Sequence, residues 1–356
     1  MIEEITATVV RVLVVDDSLT VRKRIAHLIE DSPGFELVGE AENGQEAIEM
    51  CRRLRPDVIS MDMVMPIMDG LAATEHIMAH FPTPILVVSS SMNRGEVYQT
   101  YEALAAGAVD VLDKSDEDSD PGWEWRLLSS LRLISKVRVI THPRGRLGSM
   151  GRQAYERAPL TVAERARAGR EILAIGGSTG GPGAVVEILR GLPPHLEVPI
   201  LLVLHISEPF GHNLTAWLDS QSSYRVRYAV DGELLPSGGG VFMAPPGQHL
   251  VLRHGRLLLT NDPERHSCRP SVDVLFESLA REAPTRTCAC LLTGMGKDGA
   301  LGLLALRQGG ALTIAQDEAT SVVYGMPREA ALLGAAEQIL PLPDIPSALF
   351  VAVRRD

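Results

Sequence analysis

The sequence predicts an α/β protein of two doubly wound domains: first a five-stranded parallel sheet in a (βα)5 arrangement, then a Rossmann-like parallel sheet with an inserted antiparallel hairpin. Three observations carry this expectation. Short apolar runs alternate with amphipathic helical stretches along most of the chain, the pattern of parallel sheets flanked by helices. The 356 residues exceed what one core usually organises, and an Arg-rich stretch containing Gly and Pro interrupts the rhythm near the middle. The composition is 45% hydrophobic but only 4% aromatic, which leaves Leu, Val, Ile and Ala to fill the core, as in buried parallel strands.

The elements follow in order. VRVLVVDD is an apolar strand-like run; Ser18 then stands as an N-cap, and Val21, Ile25, Leu28 and Ile29 share one helical face. ELVGEAE, DVISMDM, PILVVSS and AVDVLDK complete five βα units. The first domain is expected over residues 1–130. A helical stretch within WEWRLLSSLRLISKVRVI and an Arg-rich linker, THPRGRLGSMGRQAYERAPLTVAERARAGR, occupy 131–170. The rhythm resumes in a second domain, 171–350, with ILAIG, a helix whose Val185, Ile188, Leu189 and Leu192 align, and PILLVLHIS. GGGVFMAPPGQHLVLRHGRLLLTND reads as antiparallel, with a hairpin turn at His254-Gly255. SVDVLFESLA, CACLLTGM and ALTIAQ return to parallel units.

Charge and cysteine content narrow the function. Residues 1–140 hold 13 Lys/Arg against 24 Asp/Glu, residues 141–170 hold 7 against 2, and residues 171–356 hold 14 against 19. A DNA-binding domain would carry a basic surface, so the acidic last segment, which also lacks a helix-turn-helix pattern, argues against nucleic acid as a partner. The four cysteines form no CxxC pair and show no His spacing suited to zinc, and packing thiols of a cytosolic protein are the expectation; Cys288 and Cys290, two apart on a strand, share a face. No apolar run approaches the ~18 residues of a membrane span. The N-terminus MIEEITATVV lacks the basic flank of a signal peptide, so the chain is expected to be soluble and cytoplasmic, without membrane insertion.

Consecutive strand ends in the first domain deliver Asp16 and Asp17, Asp62, Ser89 and Lys114. In a parallel sheet these ends share one edge, where open α/β sheets place their ligand sites. Three converging carboxylates repel one another unless a hard cation is present, and Mg²⁺ also coordinates phosphate oxygens. Taken singly, an acidic pair is an ordinary helix cap and a strand-end lysine is ordinarily solvated. Together, VVDDS, MDMVMPIMDG, VVSSS and LDK resemble the response-regulator receiver domain. The resemblance implies that Asp62 accepts a phosphoryl group from a histidine kinase. Asp16, Asp17, Asp62 and the main-chain carbonyl of Val64 would bind Mg²⁺, and Ser89 and Lys114 would hold the phosphoryl oxygens. Two departures stand out: Ser115 follows the lysine where receivers usually have proline, and Val111 occupies a position that is often aromatic.

In the second domain EILAIGGSTGGPG invites three readings: a nucleophile turn, a phosphate cradle or a flexible corner. Dinucleotide-type glycine spacing is missing and there is no GK[ST], which disfavours the cradle. Gly176-Gly177-Ser178-Thr179-Gly180 fits GxSxG between a strand and a helix. His205 ends the next strand and Asp298 follows CACLLTGM, so both surface on the edge that carries Ser178. Alone, His205 reads as a histidine satisfied by main chain, and Asp298 as the N-cap of DGALGLLALRQ. The order Ser, His, Asp is not that of the α/β-hydrolases.

IGGSTGG, LLVLHIS, APPGQH, RPSVDVLF, LLTGMGKDGA and VVYGMPREA together resemble the catalytic domain of the chemotaxis protein-glutamate methylesterase family. That resemblance implies Ser178 as nucleophile, His205 as general base and then acid, and Asp298 as its orienting partner. The main-chain N–H groups of Thr179 and Met295 would serve as oxyanion donors, with no cofactor at the esterase site. The implied substrate is a γ-glutamyl methyl ester on the cytoplasmic domain of a methyl-accepting chemoreceptor. Some family members also deamidate glutamine, a point the sequence leaves open. Phosphorylation of Asp62 would relieve inhibition by the receiver. Near the RPSVD block, where family members often carry a histidine, Cys268 directly precedes Arg269 and His266 stands two residues earlier. The alternative reading is a catalytically inactive receptor-binding or phosphate-sink module.

Overall fold

Five apolar runs become five parallel strands in the computed structural model, which describes residues 9–90, 94–114, 122–137, 139, 169–206 and 208–354. They are β1 (Val10–Val15), β2 (Phe35–Ala41), β3 (Val58–Met61), β4 (Ile85–Ser89) and β5 (Asp110–Asp113), in the sheet order β2-β1-β3-β4-β5. Strands β3 and β4 are buried at every position, as a sheet covered by helices on both faces requires. Ser18 occupies the N-cap position of helix Leu19–Glu30 without a side-chain capping bond, whereas Asn43 and Asp69 cap the next two helices by accepting from Glu46 N–H and Ala72 N–H. Helix Trp123–Ile134 buries Trp123, Leu127, Leu131 and Ile134 and packs against β3 and β4. The Trp123 indole donates to the Asp113 carbonyl at 2.7 Å.

The chain divides into two compact units, Met1–Met150 and Gly151–Asp356. In the second, the strands are β6 (Ile172–Gly177), β7 (Pro199–Leu204), β8 (Val226–Tyr228), β9 (Glu233–Leu234), β10 (Gly240–Met243), β11 (His249–Arg253), β12 (Arg256–Thr260), β13 (Thr287–Leu291), β14 (Leu312–Gln316) and β15 (Gln338–Leu340). Seven of them form a parallel sheet, β15-β14-β13-β6-β7-β10-β8. The expected hairpin is β11–β12, turning at His254-Gly255 with φ of 49° and 71°, and β9 joins it as a third antiparallel strand. Two expectations need correction. The GGGVFM part of the presumed antiparallel stretch is β10, which pairs in parallel with β7 and β8. SVDVLFESLA is the helix Val272–Glu282, capped by Ser271; its aligned Leu275, Phe276 and Leu279 are buried against the large sheet. Cys288 and Cys290 lie on β13, both fully buried, and burial pushes the Cys288 thiol up to about 12. Ser115 and all of the Arg-rich linker but Gly169 and Arg170 lie outside the described residues.

Candidate active site

The sheet order reverses at β6: the chain leaves it for β7 on one side and later returns to β13 on the other, which opens a crevice at the carboxyl ends. Ser178 is the first residue beyond β6. The parallel register pairs Gly177 with Leu204, and the His205 N–H donates to the Gly177 carbonyl at 3.1 Å. Ser178 and His205 therefore leave adjacent strands side by side. On the other flank the Ser178 N–H donates to the Thr293 carbonyl at 3.0 Å, tying the serine to the loop after β13.

The glycines of GGSTGG have distinct jobs. Gly180 turns the chain with φ +76°, and a Cβ there would lie 2.5 Å from Val322 Cβ. Gly176 is needed for space, because its Cβ would meet Val272 Cγ1 at 2.2 Å. Helix Gly181–Gly191 then starts with Pro182 in its first turn. Gly294 packs so tightly on the serine that a Cβ would come 2.8 Å from Ser178 Cβ, which brings Met295, the next residue, to the same rim. Thr179 follows Ser178 and is buried.

His205 Nε2 lies 2.9 Å from Asp298 Oδ2. Asp298 is 2% exposed and accepts three further hydrogen bonds, from Ser271 Oγ at 2.7 Å, Val272 N–H at 2.7 Å and Asp273 N–H at 3.1 Å. Asp298 is therefore not the N-cap of the helix that follows it. Gly299, with φ +85°, holds that position for helix Ala300–Gln308, and Asp298 reaches instead to the amide end of helix Val272–Glu282, where anionic oxygen is favoured. Burial raises the Asp298 carboxyl, but hydrogen bonds from His205, Ser271 and Val272 outweigh it and hold the group below the usual range. Burial disfavours the charged His205 ring, yet hydrogen bonds to Asp298 and Cys268 carry it up to about 9.

With Nε2 committed to the carboxylate, Nδ1 is the ring's acceptor. Cys268 Sγ lies 3.6 Å from Nδ1. The Ser178 hydroxyl makes no hydrogen bond among the described residues, an arrangement common in catalytic sites before substrate closes the geometry. His266 Nε2 contacts Asp273 Oδ2 at 3.1 Å, and Arg269 donates to the carbonyls of Asn261 and Asp262. Sequence reasoning missed the second layer of Ser271, Val272 and Asp273. Its signal was present in RPSVD, where a capping serine opens an apolar helix next to a glycine-rich strand end.

The first unit brings its five polar strand ends together. Asp62 N–H donates to the Val15 carbonyl at 2.9 Å and Lys114 N–H to the Ser89 carbonyl at 2.9 Å, which fixes the edge. Lys114 Nζ bridges Asp16 Oδ2 and Asp62 Oδ1, each at 2.9 Å. Burial, reinforced by neighbouring Asp16, raises the Asp62 carboxyl to about 6 against the opposing effect of Lys114, and burial raises Asp16 as well. One oxygen each from Asp16, Asp17 and Asp62 lies within a 4.8 Å cluster. Carboxylates crowded at such cost, all hard oxygen donors, fit a divalent cation such as Mg²⁺. The Ser89 hydroxyl is buried without a hydrogen-bond partner among the described residues, ready for an incoming oxygen. Val64 lies two residues past Asp62 and is 47% exposed. Val111 is buried on β5 opposite Val87, so no aromatic ring swings there.

Comparison with known proteins finds a family match for each of the two units. Residues 173–349 match the CheB methylesterase family and residues 12–120 the response regulator receiver domain. Over 342 residues, 96% of each chain, the protein is 44% identical to protein-glutamate methylesterase/protein-glutamine glutaminase 2 of Anaeromyxobacter dehalogenans. It is 42% identical over 342 residues to a protein of the same name, numbered 3, from Hahella chejuensis, covering 95% of this chain and 97% of that one. The crystal structure of the Thermotoga maritima CheB methylesterase catalytic domain aligns at 36% identity and TM-score 0.49, over 52% of this chain and 99% of that one. With a receiver domain in front and the methylesterase domain behind, this chain belongs to the CheB protein-glutamate methylesterase family.

Proposed function

We propose that this protein hydrolyses glutamate γ-methyl esters on the cytoplasmic helices of methyl-accepting chemoreceptors, and that phosphorylation of Asp62 activates it. The observation that carries the proposal is the His205–Asp298 pair at 2.9 Å beside Ser178 on a GxSxG turn. Ser178 Oγ attacks the ester carbonyl while His205 Nδ1 takes the hydroxyl proton. Asp298 holds Nε2–H and stabilises the imidazolium. The main-chain N–H groups of Thr179 and Met295 receive the developing oxyanion, each such donor typically contributing ~10²- to 10³-fold in rate. His205 then returns the proton to the departing methoxide, methanol leaves, and a water activated by the same nitrogen cleaves the acyl-enzyme to glutamate. The same route on a glutamine side chain releases ammonia, as the relatives' second name implies. No cofactor enters this chemistry.

In the receiver, Asp62 is the phosphoacceptor and a histidine kinase the phosphodonor. Asp16, Asp17, Asp62 and the Val64 carbonyl would hold Mg²⁺, which neutralises phosphoryl charge when bound. Lys114 and Ser89 take the product oxygens. Among the described residues no helix is long and apolar enough to cross a membrane, which suits an enzyme meeting receptors on their cytoplasmic side. Mass spectrometry of methylated receptor fragments before and after incubation tests the reading. Loss of methyl from glutamyl esters is the expected result, and fragments left unchanged under phosphorylating conditions would favour a binding module.

A further inference from the structure

We infer that Cys268 and His205 form a zinc-binding pair that shuts the esterase site. The Sγ of Cys268 and the Nδ1 of His205 stand 3.6 Å apart. A tetrahedral zinc ion with bonds of about 2.3 Å to sulfur and about 2.1 Å to nitrogen requires those two atoms to be about 3.6 Å apart. The two donors therefore already have the separation the ion needs. Thiolate and imidazole are also the ligands that select zinc over the hard cations suited to the receiver's carboxylates.

The surroundings complete the site. His205 Nε2 is held at 2.9 Å by Asp298, the carboxylate–histidine arrangement that orients zinc-bound imidazole and raises its basicity. Asp298 is itself fixed by Ser271 and two main-chain amides, so the imidazole cannot turn its acceptor nitrogen away cheaply. Cys268 sits in a tight turn, with Arg265 N–H donating to the Cys268 carbonyl and Cys268 N–H donating back to Arg265. The two residues between them, His266 and Ser267, have φ of 52° and 59°, a left-handed pair seldom adopted without glycine. One side-chain donor atom each from Cys268, His205 and Asp298 falls within one 4.8 Å cluster. Cys268 is partly exposed, which gives an ion access, whereas Cys51, Cys288 and Cys290 are buried.

Binding replaces the thiol proton, which passes to solvent, and the ion occupies the His205 lone pair. Under the catalytic reading above, that lone pair must accept the Ser178 proton, so a bound ion stops the reaction. Water or the Ser178 hydroxyl would fill the remaining positions. The effect on rate rests on that reading; the binding does not.

The test uses the full chain, wild type and Cys268→Ala, titrated with Zn²⁺ while methanol release is followed, each relative to its own metal-free rate. Co²⁺ is titrated in parallel as a spectroscopic probe. In the wild type, release falls at least about tenfold and Co²⁺ gives a thiolate-to-metal charge-transfer band. In Cys268→Ala the band is absent and the Zn²⁺ needed rises at least about 10- to 100-fold, the cost of losing even a supporting group. Cys268→Ser gives the same loss of the band without changing the size of the residue. Inhibition at the same Zn²⁺ concentration in wild type and Cys268→Ala overturns the inference, as does Co²⁺ binding without a thiolate band. The cobalt spectrum decides the point even for a preparation that releases no methanol. Zinc taken up by the receiver's oxygens is common to all variants and cancels.

Discussion

Replacing Asp298 by Asn tests the second layer most severely, because the carboxylate satisfies four donors at once. Oδ2 serves His205 and Val272 N–H, and Oδ1 serves Ser271 and Asp273 N–H. An amide has one oxygen, so its NH2 must face one of these pairs. The Ser271 hydroxyl can rotate to accept and His205 can change tautomer, but in either orientation a main-chain N–H loses its partner. Leaving one buried donor unpaired costs about 1–3 kcal/mol of stability. The effect on rate is larger. The neighbours that carry His205 from its usual ~6.5 up to about 9 favour the imidazolium by about 3 kcal/mol together, and the wrong tautomer removes the acceptor altogether. Asp298→Asn should therefore lower kcat for methanol release by about 10²- to 10⁴-fold, while urea unfolding still shows a cooperative, less stable protein. A folded variant with kcat within tenfold of wild type would refute the assignment of Asp298 as the partner of His205.

Three further outcomes are expected. Only the neutral His205 ring can accept a proton, so kcat/KM should rise with pH through about 9, and Cys268→Ala, which removes one of the hydrogen bonds raising that value, should move the limb downward; a limb at ~6.5 in the wild type contradicts this electrostatic account. Gly176→Ala drives a methyl group into Val272, so thermal unfolding should show a loss of about 1–3 kcal/mol, and an unchanged Tm would mean β6 and helix Val272–Glu282 separate more easily than the packing implies. Lys114→Ala leaves Asp16 and Asp62 without their bridging cation, and phosphate-affinity electrophoresis should show less phosphoprotein from a small phosphodonor, with chelation of Mg²⁺ giving the same loss; normal labelling in both cases would remove the strand-edge site from the account.

The sequence was most legible where one rule governed a segment. Buried runs such as ISM in β3 and LAIG in β6 have a single solution in a covered parallel sheet, and a serine, a histidine and an aspartate at strand ends must surface on one edge. It was least legible where partners come from afar. GGVFM was read with its hairpin neighbour because both are short and apolar, yet the choice between parallel and antiparallel pairing depends on β7 and β8, which no local pattern names. The three-residue strands β8 and β15 are too short to show a period. Asp298 looked like the cap of its own helix because capping is a local rule, whereas the helix it serves begins 26 residues earlier in the chain. The Cys268–His205 pair was invisible for the same reason: 63 residues separate its members.

The most direct measurement is methanol release from methylated receptor fragments by the wild type and Ser178→Ala, each with and without a small phosphodonor and Mg²⁺. The account predicts release by the wild type that rises with phosphodonor, and none by Ser178→Ala under either condition. Release by Ser178→Ala at the wild-type rate would contradict the serine mechanism, and wild-type release indifferent to phosphodonor would contradict control through Asp62.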